Sequence, residues 1–172
     1  MRIRTATWFE AVVSYERQAE EGNLKKVTET YVVDALTFGE AEEAITKEVA
    51  PFANGEFNVK NITPATYAEV VFSDSENADK WYKAKACFVV LDEKSGKEKR
   101  SNVLFLVQSE SFNGAVKTMD DYLNQGVGVS MLVNVTETKI MDVFEHDAPQ
   151  KAEERNDKPE YEEADQQKKE EK

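Results

Sequence analysis

The chain has 172 residues, 33% charged and 40% hydrophobic, which suits one domain, or two half-domains sharing a core, with a solvated remainder. Its formal net charge of −12 opposes coating of duplex DNA by bulk charge, because neutralising phosphates takes clustered Lys and Arg. Cys87 is the only cysteine, which excludes an internal disulfide and fits a reducing, cytoplasmic setting.

No apolar run approaches the roughly 20 residues needed to span a bilayer, and Met1 to Thr5 lacks the apolar stretch of a secretory signal and leads into a strand. From Thr7 to Glu16 the pattern has period two, with Phe9, Ala11, Val13 and Tyr15 on one face and Trp8, Glu10, Val12 and Ser14 on the other. Gln18 to Asn23 reads as a hairpin loop around Gly22, and Lys25 to Ala35 as the return strand. Thr37 and Glu40 then form a capping box, Ala41, Ala44, Ile45 and Val49 make the buried stripe of a short helix, and Pro51 ends it. Two strands follow, Glu56 to Thr63 and Thr66 to Phe72, broken near Pro64.

Lys80 to Asp92, a turn around Gly96, and Lys99 to Ser109 give a second hairpin. Ser111 opens a second helix with Ala115, Met119, Tyr122 and Leu123 on its apolar face, closed by Gly126 and Gly128. Val129 to Phe144 supplies the last two strands.

The second half thus repeats the first. Trp8-Phe9 returns as Trp81-Tyr82 at an offset of 73, and Thr37-Phe38-x-x-Ala41 returns as Ser111-Phe112-x-x-Ala115 at 74. Asn61-Ile62-Thr63 returns as Asn134-Val135-Thr136, and Val71-Phe72 aligns with Val143-Phe144 at 72. The expected fold class is α+β: two fused ββαββ units (about 5–73 and 79–145) forming antiparallel sheets with one helix each. One unit alone leaves a sheet face open, so the two should share a core about a pseudo-twofold axis within a single domain, 1–147. Residues 148–172 contain no Val, Ile, Leu, Phe or Trp and carry six basic and nine acidic side chains, which predicts a disordered charged tail.

Catalysis has little support. His146 has no spaced His or Cys partner for a metal, Cys87 falls mid-strand where a buried thiol is inert, and Asp120 and Asp121 sit adjacent on a helix and do not face each other. The expectation is a non-enzyme with no cofactor and no metal. Binding has more support, since each hairpin places a tryptophan beside cations on one sheet face: Trp8 with Lys26, and Trp81 with Lys83, Lys85 and Arg100. Aromatic rings that stack on bases and cations that follow phosphates make a single-stranded nucleic-acid binder. Packing of both tryptophans against the opposite helix or a second sheet carries more weight residue by residue, and Lys83 and Lys85 also suit a solvated face. The recurrence of the pair in both halves is what raises the binding reading. The charged tail suggests recruitment of replication or recombination proteins, with a solubilising role as the alternative, and a homo-oligomer is allowed. The competing function is a protein-interaction or assembly module using the same face or an exposed strand edge.

The segments TATWFEAVVSYE, KKVTETYVVDALTFGEAE and NVTETKIMDVFEHD resemble a family of uncharacterised proteins of Bacteroidetes and their phages. That resemblance implies a phage or mobile-element setting and carries no activity with it. At the level of fold, the order of elements is similar to a rotated version of the paired ββββα units of Whirly and PUR single-strand binders, with no motif matching residue by residue.

Overall fold

The computed structural model describes residues 2–4 and 7–146; the charged tail lies outside them. Nine strands and two helices follow in chain order: β1 (Arg2–Arg4), β2 (Trp8–Gln18), β3 (Leu24–Asp34), α1 (Phe38–Val49), β4 (Phe57–Ala65), β5 (Tyr67–Phe72), β6 (Lys80–Leu91), β7 (Glu98–Ser109), α2 (Phe112–Gln125), β8 (Val129–Glu137) and β9 (Ile140–Phe144). A single 3-10 turn, Ala50–Phe52, follows α1 around Pro51. The ββαββ repeat is present, and β1 is an addition that the sequence pattern did not reveal.

Local chemistry sets each element. The Thr37 hydroxyl accepts from the Glu40 amide at 3.2 Å while the Glu40 carboxylate accepts from the Leu36 amide at 2.8 Å. Ser111 caps α2 by the first of these bonds alone, accepting from the Gly114 amide at 3.2 Å. Both hairpin turns place a glycine at positive φ, Gly22 at 83° and Gly96 at 65°, a conformation in which a Cβ is strained. Pro64 does not break β4. It pairs opposite Phe9 on an edge strand, where a missing N–H costs no ladder bond.

The sheets are mixed, which corrects the expectation of purely antiparallel ones. The four-stranded sheet runs β4-β2-β3-β9 and the five-stranded sheet β1-β5-β7-β6-β8. β5 pairs in parallel with β7 of the second repeat, and β9 in parallel with β3 of the first. Each repeat therefore gives its last strand to the other's sheet. Only Thr66 separates β4 from β5, which is too short for the two-residue loop of a hairpin, so the chain crosses over rather than folding back. At the equivalent place Thr138 is tied to the Trp81 carbonyl by its amide (2.9 Å) and its hydroxyl (2.8 Å).

The register also corrects the repeat alignment at its end. Val32 opposes Val143 and Leu106 opposes Val70, so β9 matches β5 at an offset of 73, not 72. With that offset, Phe144 is the counterpart of Val71, and Asp142 of Glu69.

Four layers result. α1 buries Ala41, Ile45 and Val49 on one face of the four-stranded sheet, and α2 buries Ala115, Met119 and Leu123 on one face of the five-stranded sheet. Between the sheets lies a third core of Trp8, Val32, Ile140 and Val143 against Tyr67, Val70, Trp81 and Leu106. These eight residues are four repeat-related pairs, so one central core is built twice over. Burial of each aliphatic member contributes about 1.5–3 kcal/mol.

Candidate functional site

Trp8 and Trp81 are the anchors of the central core, 1% and 2% exposed, and neither ring is open to a base. Their proposed stacking role is therefore corrected. The face opposite α1 and α2 is the face on which the two sheets meet, and a large ring at the start of each hairpin falls in the middle of that contact.

Lys83 is also engaged. Its ammonium lies 2.9 Å from the Glu10 carboxylate on the other sheet and 5.6 Å from the centre of the Tyr67 ring. Tyr67 donates its hydroxyl to the same carboxylate. Glu10 and Lys83 are repeat-related positions, as are Trp8 and Trp81, so the pair straddles the pseudo-axis. Two identical subunits would place like charges there; a fused repeat places opposite ones. Burial disfavours the charged form of Glu10, but hydrogen bonds from Tyr67 and Lys83, with the Lys83 charge, outweigh it and hold its pKa below the ordinary value. Burial and the Glu10 carboxylate in turn push the Tyr67 hydroxyl far above the usual tyrosine range.

A test follows from this geometry. Glu10→Lys is expected to cost about 1–2 kcal/mol in urea unfolding, discounted because the Lys83 side chain is part-exposed, and the double reversal Glu10→Lys/Lys83→Glu to recover most of it. Since the folded pKa of Glu10 is lowered, its contribution is complete above the unfolded value of 4.5 and is lost as pH falls through the folded one. A double reversal no more stable than the single variant would remove the pair from the account.

The remaining cations are on open sheet surface. Lys26 on β3 is exposed and stands opposite Glu16 in the strand register. Lys85 on β6 and Arg100 on β7 are exposed on the face of the five-stranded sheet away from α2, where Arg100 opposes Val89. Asn134 stands opposite Lys85, and Asn102 opposite Cys87, on that same face. Of the six expected binding residues, the fold brings Lys85 and Arg100 to one surface, sends Lys26 to the other sheet, and buries or pairs the rest. Cys87 is buried.

That face carries something the sequence reading missed. Val129 opposes Val89, and Met131 opposes Cys87, so β8 continues an apolar surface with Leu91 at its end. Leu91 is 62% exposed, Val129 63% and Met131 48%. β8 is also a sheet edge. The opposite-sheet edge β4 holds Lys60 and Pro64, residues that discourage strand addition, whereas β8 (VSMLVNVTE) holds neither. That contrast was the available signal in the sequence.

Among the described residues no group of three or more His, Cys, Asp or Glu is placed to hold a metal ion, and no helix is long and apolar enough to cross a membrane. The arrangement defines a four-layer α/β/β/α protein in which two fused ββαββ repeats exchange their last strands. Residues 7–146 match the family model of a domain of unknown function, DUF4494, and the chain belongs to that family. Comparison with curated proteins and with solved structures found no match.

Proposed function

We propose that this protein is a non-enzymatic, cytoplasmic binding module that takes up an extended polypeptide on the open face and β8 edge of its five-stranded sheet. The observation that carries this reading is the exposed apolar surface of Leu91, Val129 and Met131 beside a strand edge without Lys or Pro. An added strand gains main-chain hydrogen bonds from such an edge, and alternate side chains gain the apolar face. Panning displayed extended peptides against the full chain is expected to enrich sequences with alternating apolar residues. Met131→Lys/Val129→Lys is expected to weaken the enriched peptides about tenfold or more, from the roughly 1.5–3 kcal/mol each side chain gains on burial, with the unfolding midpoint unchanged. Peptides that bind this variant as tightly as the parent would defeat the assignment.

A second reading rests on Lys85 and Arg100, which share that face with Asn102 and Asn134: a single nucleic-acid strand, in phage or mobile-element DNA metabolism, held by its phosphates. Without Trp8 and Trp81 it lacks base stacking. Its mark is anisotropy of a labelled single strand that falls steeply with added salt and is lost in Lys85→Glu/Arg100→Glu.

A further inference from the structure

The internal repeat gives positions on one helix layer counterparts on the other, and in one place the two layers differ in chemistry. On the second layer Tyr122 of α2 lies edge-on against Phe105, ring centres 5.4 Å apart, and donates its hydroxyl to Glu69 of the exchanged strand β5. Burial and Glu69 push the Tyr122 hydroxyl up to about 12. The counterparts on the first layer, by the offsets of α and β elements above, are Tyr31 for Phe105, Asp142 for Glu69, and Glu48 for Tyr122. The helix therefore offers no ring at this position and carries a second carboxylate, Glu48, instead, while the ring against Tyr31 comes from Phe144 of β9.

A cleft of about 450 Å³ opens at this place, lined by Tyr31, Phe144, Phe52, Glu29, Glu48 and Asp142 together with Arg17 and Tyr15. The Tyr31 and Phe144 rings are stacked with centres 5.5 Å apart, and the lining residues Phe52 and Met141 are exposed. One wall is already fixed: the Tyr15 and Tyr31 hydroxyls both donate to Glu29, at 2.8 and 2.6 Å, and Arg17 lies 3.9 Å from the same side chain. Glu29, Glu48 and Asp142 against Arg17 leave the lining two negative charges in excess. Burial, with the Glu48 charge nearby, pushes the Asp142 carboxyl above its ordinary value although the Val143 amide donates to it.

We infer that this cleft is a guanidinium-binding site, taking a flat cation in the place that the Tyr122 ring fills on the other layer. The second layer supplies the shape, a planar group against an aromatic wall with a donor toward the exchanged strand. Glu48 in place of a phenol adds the charge requirement. A guanidinium is planar, permanently charged, and carries forked donors suited to carboxylates, and it lies well on aromatic faces. An ammonium meets the charge and lacks the plane; a phenol has the plane and lacks the charge.

The full-length chain is titrated by calorimetry with agmatine, with capped arginine, with butylammonium and with p-cresol. Saturable binding of the two guanidinium probes is expected, with butylammonium and p-cresol weaker by about tenfold or more. Glu48→Tyr rebuilds the second layer's arrangement in the first, and is expected to abolish guanidinium binding while raising the thermal unfolding midpoint. Should that variant fail to fold, Asp142→Asn serves instead, with affinity expected to drop about tenfold. Capped arginine binding more tightly than agmatine assigns the source to an arginine side chain of a partner chain; the reverse assigns it to a free small molecule. The inference is overturned by no saturable guanidinium binding, by butylammonium binding equally well, or by affinity unchanged in the folded variant.

Discussion

Trp8→Ala is expected to lower the unfolding free energy by about 3–5 kcal/mol, the range for deleting a large aromatic from a packed core. The ring is fully buried among Val32, Ile140 and Val143 of its own sheet and the facing Tyr67, Val70, Trp81 and Leu106. Trp81→Ala is expected to fall in the same range, since the two rings are repeat mates in one core. Trp8→Phe should cost far less, because the indole N–H of Trp8 makes no hydrogen bond among the described residues and only ring volume is lost. Urea unfolding followed by circular dichroism measures all three. If Trp8→Ala unfolds at the parent's urea concentration, the ring is not packed as described. Native fluorescence quenchable by acrylamide would point the same way.

Ending the chain after Lys139 is expected to damage the first repeat more than the second, although the deleted strand belongs to the second. β9 pairs with β3, and its Ile140 and Val143 are buried in the central core while Phe144 stacks on Tyr31. Losing two buried aliphatic side chains removes about 3–6 kcal/mol, a large share of the 5–15 kcal/mol typical of a whole domain. The variant is expected to lose hydrogen-exchange protection first in β2, β3 and α1, with α2, β6 and β7 retaining more. Earlier loss of protection in α2, β6 and β7 would refute the strand exchange, because a strand kept within its own repeat would unravel that repeat instead.

Much of this architecture is legible along the chain. The capping residues Thr37 and Ser111, the stripes Ala41, Ile45, Val49 and Ala115, Met119, Leu123, and the glycines at the hairpin turns act over a few residues, and they return at a near-constant offset. Such features depend on local backbone geometry and on periodicity, which sequence carries directly. The edge contrast between Lys60 and Pro64 on β4 and their absence from β8 was equally available.

The candidate site was legible in part. Period two correctly put Trp8 on the face away from Phe9 and Ala11, and Trp81 away from Tyr82 and Ala84, but alternation says which residues share a face and nothing about what covers it. Only the meeting of the two sheets decided that these faces are interior at the tryptophans and open at Lys85 and Arg100. The exchange of β5 and β9 likewise depends on partners far apart in the chain, Val70 with Leu106 and Val143 with Val32, for which no local pattern exists. The sequence by itself determined two similar ββαββ units, their caps, stripes and turns, because those follow from short-range chemistry. The tertiary structure alone decided that the units trade strands, bury their tryptophans together, pair Glu10 with Lys83 across the pseudo-axis and leave a cleft beside Glu48, because each of those results from long-range packing of one unit against the other.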